Sequence, residues 1–219
     1  NTIPSINKAM ELGVDGIEID VFKCKSGELV VFHDERLERL TNSSGFIESL
    51  ELDSIKNIIV LDKYRIPTLE EVLQLIDGQV KLNIELKGYG TASPTNHLIN
   101  QYTNKGGWTE DKFIISSFKW DELEKIRELN MTIPIAVLVN SNINPIDALP
   151  FAKKIKAIAI NPYFKDLNQK NIEKIQSTGL KVFPYTINEL DDIERMIKLG
   201  VDAIITDYPE RVNKLKGLF

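Results

Sequence analysis

Short β-branched runs alternate with helix-period segments along nearly the whole chain, and that alternation limits the fold more than any other feature. Strands are predicted at "DGIEIDVF" (15–22), "ELVVFHD" (28–34), "VKLNIELK" (80–87), "KFIISSF" (112–118), "IPIAVLV" (133–139), "AIAINP" (157–162), "KVFPYTI" (181–187) and "AIITDYP" (203–209). Helical patterns fill the intervals at "TLEEVLQLI" (68–76), "WDELEKIREL" (120–129), "QKNIEKIQST" (169–178) and "ELDDIERMIKL" (189–199). Thr68 is placed to cap one of them, with Glu71 three residues on completing a capping box, and Gly179 and Gly200 stand where helices stop. From residue 80 onward the βα rhythm is regular, the signature of a parallel sheet. "ELGVDGIEID" (11–20) and "KLGVDAIITD" (198–207) echo each other as two turns of one repeating βα unit. The stretch 35–66 is the least regular, with "TNSSG" (41–45) as a loop and a short helix near Glu51–Ile59.

The predicted strands carry their polar residues at the C-terminal ends: Glu18 and Asp20; His33; Glu85 and Lys87; Ser116 and Ser117; Asn161; Tyr185, Thr186 and Asn188; Thr206 and Asp207. In a (β/α)₈ barrel those ends form the catalytic face, whereas in a doubly wound sheet they form a crevice at one switch point. Too many strands contribute for a crevice, and no Gly-rich dinucleotide fingerprint follows any strand. The expected fold is therefore α/β, a TIM (β/α)₈ barrel. With 219 residues and no linker or low-complexity break, a single barrel domain over 1–219 is expected.

"GVDGIEIDVF" (13–22) sets two carboxylates, Glu18 and Asp20, on one face of a strand, while Ile17, Ile19 and Val21 line the other. Desolvating like charges side by side is costly unless a cation compensates them. "NIELK" (83–87) repeats the pattern: Asn83, Glu85 and Lys87 share a face, with Ile84 and Leu86 pointing away. If Glu18, Asp20 and Glu85 converge, three carboxylates against one lysine leave a formal −2, the charge a divalent cation neutralises. All candidate ligands are hard oxygens, so Mg²⁺ or Ca²⁺ is favoured over Zn²⁺. The competing reading pairs each acid separately with a lysine or with backbone amides; for three acids on neighbouring strand ends the metal weighs more. Lys87 is placed either to hold a phosphate or to screen Glu85. His33 is read two ways, as a proton carrier beside a metal-held anion or as a core histidine bonded to Asp34, and the residues alone leave the two even. His97, in "SPTNHLINQ", is read as a surface residue, and Trp108 and Trp120 as packing or surface residues.

Net charge is −5, from 27 Lys and Arg against 32 Asp and Glu, which argues against nucleic acid as a partner and leaves a small ligand open. Cys24 is the only cysteine, so neither an intrachain disulfide nor a thiolate metal cluster can form. No apolar run approaches the ~18 residues of a membrane span, and no signal peptide is visible. A cytoplasmic location is expected; an extracytoplasmic one stays open because the chain opens on Asn1 and reads as cut at its start.

These residues resemble the glycerophosphodiester phosphodiesterase family, which are (β/α)₈ barrels. "NTIPSINKAMELGVDGIEIDVFKCKSGELVVFHDERLERLTN" is similar to the family's opening signature, in which Glu-Asn-Thr precedes a helix and Glu-x-Asp-Val and His-Asp follow. "IPTLEEVL" (66–73), "NIELK" (83–87), "SSF" (116–118), "YTIN" (185–188) and "GVDAIITDYPE" (200–210) match in order and spacing. The resemblance implies metal-dependent hydrolysis of a glycerophosphodiester to glycerol 3-phosphate and an alcohol. It implies that Glu18, Asp20 and Glu85 bind one divalent metal, that His33 is one of two catalytic histidines, and that Lys87 lies against the phosphate. The family position matching Tyr185 is commonly Trp at the mouth of the site; Tyr keeps an aromatic wall and adds a hydroxyl.

One departure is large. The family's first strand carries His-Arg-Gly ahead of Glu-Asn-Thr, and this chain opens at that Asn, so a barrel lacking its first strand, an N-terminally truncated domain, is expected. A second enzyme reading is a lysophospholipase D or sphingomyelinase D-like barrel acting on lipid head groups; the polar segments "KGYGTASPTN" (87–96) and "VNSNINP" (139–145), read as loops, rank it lower. A third is a non-catalytic barrel serving as a binding module, if the first strand is absent from the native chain.

Overall fold

A computed structural model describes residues 1–217. The chain divides into two compact units, Asn1–Ile133 and the residues from Pro134 onward. Unit 1 opens with α1 (Ile3–Glu11), followed by β1 (Gly16–Lys23), β2 (Leu29–Val31), α2 (Leu52–Ile55), β3 (Ile59–Val60), β4 (Tyr64–Arg65), α3 (Leu69–Ile76), β5 (Lys81–Leu86), α4 (Ala92–Lys105), β6 (Phe113–Ser117) and α5 (Trp120–Leu129). Its strands lie in the order β2-β1-β5-β6. The β1–β5 and β5–β6 pairings are parallel. The β1–β2 pairing is antiparallel, with Val21 opposite Val31.

That antiparallel strand corrects the expectation for 28–34. Only Leu29–Val31 is strand, joined to β1 by a turn in which Gly27 takes φ 107° and its N–H donates to the Cys24 carbonyl. A turn this tight can only return the chain antiparallel; a parallel partner needs a long crossover. The irregular stretch that follows folds around an apolar cluster of its own. Phe22, Val30, Phe32, Leu37, Ile47, Ile55 and Ile66 are buried together, and the β3–β4 hairpin closes over them. The predicted loop at 41–45 holds, and the short helix shrinks to Leu52–Ile55.

The α3 N-terminus forms as the sequence predicts. The Thr68 hydroxyl accepts the Glu71 N–H at 3.2 Å, and Glu71 accepts the Thr68 N–H at 2.7 Å. The expected loop at 87–96, by contrast, ends at Ala92, where α4 begins. Ser93-Pro94 reads as a turn, yet proline is tolerated in the first turn of a helix because that N–H has no intrahelical partner. The exposed donors are met from α5: Glu122, buried, accepts the Gly90 N–H at 2.6 Å and the Ala92 N–H at 2.8 Å. Trp108 packs inside, stacked on Phe113 with ring centroids 4.5 Å apart, and its indole N–H donates to the Leu73 carbonyl. His97 is exposed on α4, as read.

Unit 2 comprises β7 (Ile135–Val139), α6 (Leu149–Lys154), β8 (Ala159–Pro162), α7 (Gln169–Gln176), β9 (Lys181–Val182), α8 (Leu190–Lys198) and α9 (Pro209–Leu215). Parallel pairing runs β7-β8-β9. Two strands predicted here are shorter than expected. In the run 181–187 the regular strand is Lys181–Val182, and pairing with β8 continues beyond it through Phe183 N–H to the Ile160 carbonyl and Tyr185 N–H to the Pro162 carbonyl, while Pro184 has no N–H to offer the opposite neighbour. The run 203–209 is not a regular strand; it keeps two backbone bonds to its neighbour, Ile187 N–H to the Ile205 carbonyl and Ile205 N–H to the Pro184 carbonyl. Gly179 and Gly200 end α7 and α8 with φ of 84° and 73°, the left-handed region that glycine enters without strain. No described helix is long and apolar enough to cross a membrane.

Replacing Thr68 with Ala removes the reciprocal cap of α3. The expected loss is about 1 kcal/mol of stability, read as a melting temperature lower by about 2–4 °C for a chain of this size. An unchanged thermal transition would contradict it.

Candidate active site

Parallel pairing of β1 with β5 builds the site. The register sets Glu18 opposite Asn83 and Asp20 opposite Glu85, so side chains two residues apart on each strand share one face. Beyond the end of β5 the ladder continues by one bond, from Lys87 N–H to the Val21 carbonyl at 3.1 Å, which carries Lys87 to the same rim. One carboxylate oxygen each from Glu18, Asp20 and Glu85 lie within 4.8 Å of one another. Asp20 and Glu85 are buried and Glu18 is of intermediate exposure.

Lys87 lies among them, its ammonium 3.2 Å from Asp20 Oδ1 and 2.8 Å from Glu85 Oε1. The second contact is an ion pair without hydrogen-bond geometry, so Glu85 Oε1 is buried yet accepts no hydrogen bond; Asn83 Oδ1, beside Glu18, is likewise unbonded. Gly88 follows directly, and a Cβ there would press on the Glu48 carboxylate, which would have to move aside.

Electrostatics record the crowding. Burial, then the Asp20 and Glu85 charges, push the Glu18 carboxyl well above the usual range, with Lys87 opposing them. Burial pushes Glu85 up to about 7, against the pull of Lys87 and together with the charge of Asp20. Burial pulls the Lys87 ammonium down, but the two carboxylates outweigh it and hold it above the ordinary lysine value. One lysine therefore leaves this cluster short of positive charge. The set of hard oxygen donors, a buried Asn83 Oδ1 with no hydrogen-bond partner beside them and two carboxyls that resist ionisation fit a divalent cation.

Asn1 takes part, and sequence reasoning gave it no role. Its amide clamps Asp20 twice: Nδ2 donates to Asp20 Oδ2 at 2.8 Å, and Oδ1 accepts the Asp20 N–H at 2.9 Å. The signal was present in the Asn-Thr that opens the chain, since Thr2 caps α1 and so fixes the residue before it.

His33 lies just past β2. The preceding residue, Phe32, donates its N–H to the Asp20 carbonyl at 3.0 Å, which ties this end of the loop to β1. The ring pairs with Asp34, Nδ1 to Oδ1 at 2.6 Å, and its side chain is 55% exposed. The bond to Asp34 is as one reading had it, but a core histidine it is not. Tyr185, in unit 2, is half-buried; its hydroxyl donates to the Val139 carbonyl at 2.7 Å and its ring lies 6.2 Å from that of Tyr163. The proton on the hydroxyl is thus spent inside the protein.

Residues 1–211 match the model of the "Glycerophosphoryl diester phosphodiesterase family". The chain belongs to this family. A glycerophosphodiester phosphodiesterase of Caldanaerobacter subterraneus subsp. tengcongensis is 36% identical over 228 residues, spanning 98% of this chain and 91% of that one. Among solved structures, an Oleispira antarctica phosphodiesterase in complex with the product sn-glycerol-3-phosphate superposes with a TM-score of 0.88 at 25% identity, over 99% of this chain and 91% of that one. A glycerophosphodiester phosphodiesterase of Thermotoga maritima superposes with a TM-score of 0.78 at 24% identity, over 100% and 92%. The fold class is accordingly the α/β TIM barrel of these phosphoric diester hydrolases.

Glu85 binds its proton more tightly in the folded chain than at its ordinary value of 4.5. Its contribution to stability is complete below about pH 4.5 and is lost as pH rises through about 7. The metal-free protein is therefore expected to melt at lower temperature at about pH 8 than at about pH 5. Glu85→Gln should flatten that slope, and saturating divalent cation should raise the melting temperature at the alkaline end. A slope equally steep in Glu85→Gln would contradict this assignment.

Proposed function

We propose that this chain hydrolyses glycerophosphodiesters to sn-glycerol 3-phosphate and an alcohol, using one divalent cation, Mg²⁺ or Ca²⁺, held by Glu18, Asp20 and Glu85. The observation that carries the reading is the convergence of three carboxylate oxygens within 4.8 Å around a single lysine. The family to which the chain belongs, and a relative seen with sn-glycerol-3-phosphate, supply the substrate class. Residues 1–219 act as one catalytic domain; the family match runs through both compact units and supports this. A cytoplasmic address accompanies the proposal, supported by a lone, buried cysteine.

Glu18, Asp20 and Glu85 would hold the cation, which would supply Lewis-acid stabilisation of negative charge on the phosphoryl group. The chain's own groups do the rest. Asn1 fixes Asp20 from both sides, so this ligand is presented without rotation. Lys87 pairs with the anionic phosphate of the diester as well as with Glu85, and thereby orients it. His33 exchanges a proton with the reacting group through Nε2, its Nδ1 being engaged by Asp34; groups of this kind contribute about 10²–10⁴-fold. Whether His33 serves as base or acid, and whether water or the glycerol 2-hydroxyl attacks, the same nitrogen carries the proton. The ring of Tyr185 forms an aromatic wall for the alcohol group.

The test is glycerol 3-phosphate release from mixed glycerophosphodiesters with Mg²⁺, with Ca²⁺ and with EDTA. Release is expected with at least one cation and not with EDTA, and Glu18→Gln is expected to abolish it while the fold persists. Full turnover by Glu18→Gln would overturn the metal assignment. Lys87→Met removes a charged hydrogen bond to phosphate and is expected to raise KM by about tenfold or more; an unchanged KM would exclude Lys87 from substrate binding.

A further inference from the structure

His33 heads a loop that folds back on itself. Leu37 is fully buried and its N–H donates to the Gly45 carbonyl at 3.0 Å. The Thr41 hydroxyl donates to the Leu37 carbonyl at 2.8 Å. Glu38 accepts both the Gly45 N–H, at 3.0 Å, and Arg36 Nη2, at 2.6 Å. These bonds fold the exposed loop back on itself and return Arg39 to Asp34. Arg39 Nε donates to Asp34 Oδ2 and Nη2 donates to Oδ1, both at 2.6 Å. Asp34 Oδ1 also takes His33 Nδ1 at 2.6 Å. Of the three side chains Asp34 is the sheltered one, 17% exposed against 62% for Arg39 and 55% for His33.

A carboxylate facing a histidine alone can turn about its own axis and offer either oxygen. The planar fork of a guanidinium removes that freedom, because its two parallel N–H groups bind both oxygens at once. The Arg39 hydrogen bonds also hold the Asp34 carboxyl below the usual range, against the effect of burial. Asp34 is then an acceptor only, and the hydrogen between it and the ring belongs to His33 Nδ1.

We propose that Arg39 is a positioning residue for His33: by gripping both oxygens of Asp34 it fixes the imidazole as its Nδ1–H tautomer and leaves Nε2 free to exchange the catalytic proton. The proposal rests on the reading of His33 as the proton-transfer group. In that role the Nε2 lone pair takes a proton from the attacking hydroxyl, giving an imidazolium held against Asp34. The proton then leaves from Nε2 to the departing oxygen or to water, and the Nδ1–H ring is restored. Nothing else is consumed.

The chain has two histidines, and His97 is exposed on α4 with no part in the site. In a His97→Gln background, ¹⁵N-histidine spectra of the metal-free protein therefore report His33 alone. At about pH 8 the ring is expected as the Nδ1–H tautomer. Arg39→Gln is expected to shift it toward the Nε2–H form and to lower kcat by about tenfold, the scale on which orienting partners of a histidine act, with KM and melting temperature unchanged. Arg39→Lys keeps the charge without the fork and is expected to stay closer to Arg39→Gln than to the parent. A parent-like tautomer and kcat in Arg39→Gln would overturn the inference, as would full recovery by Arg39→Lys, which would make the effect one of charge. His33→Asn separates the two levels. Its loss of turnover alongside a silent Arg39→Gln would sink the Arg39 role alone, whereas full turnover in His33→Asn would overturn the histidine reading and the inference with it.

Discussion

Asp20 and Glu85 face each other across a parallel strand pair, with Glu18 one step back on the same side. Everything else at the site answers that concentration of negative charge. A one-residue slip of β1 against β5 would turn Glu18 and Asp20 away from Glu85 and bring Ile17 and Ile19 to this face, so the apolar packing of β1 and the placement of its charges are the same decision. Ile19, Val21, Ile84 and Leu86 are buried nearly completely. The core thus holds the acids together against their repulsion, in the geometry that the proposed cation site requires.

Around this centre the chain supplies only partial relief. Lys87 brings one positive charge, delivered by the last bond of the β1–β5 ladder. Asn1 contributes dipoles rather than charge, locking Asp20 through both its side chain and its backbone. The remaining imbalance appears as protons held by Glu18 and Glu85 above the usual range. Partial compensation is what an ion site needs. Full pairing with lysines would leave no oxygen for a cation, and no pairing at all would oppose folding.

Much of this was legible in the sequence because it depends on short-range alternation. The i, i+2 spacing of Glu18 and Asp20, and of Asn83, Glu85 and Lys87, gives each strand a polar and an apolar face before any pairing is known. The capping box at Thr68 and the glycines that end α7 and α8 are equally local. What stayed hidden depends on contacts distant along the chain or on backbone donors. Asn1 reaches Asp20 nineteen residues away. Glu122 meets the start of α4 from another helix, so a polar segment with a proline near its start looked like a loop and proved helical from Ala92 onward. The β-branched run 203–209 has strand composition, but its neighbour contains Pro184, which cannot donate, and the pairing that begins at Asp202 N–H to the Val182 carbonyl stays too sparse for a regular strand. Arg39 had no visible purpose, since in sequence it is one of several charges in an irregular loop.

Completion of the three carboxylates by a divalent cation, as proposed, is measured most directly through the protons they hold. A ligand carboxyl must be ionised to bind a metal, so binding displaces any proton it carries. Titration calorimetry of Mg²⁺ or Ca²⁺ into the metal-free protein near pH 6.5, repeated in buffers of different ionisation enthalpy, counts the protons released. Release of about one proton or more per cation bound, falling in Glu85→Gln, is the predicted result. Cation binding without proton release, or binding of undiminished strength once Glu18, Asp20 and Glu85 are all replaced by their amides, would contradict it.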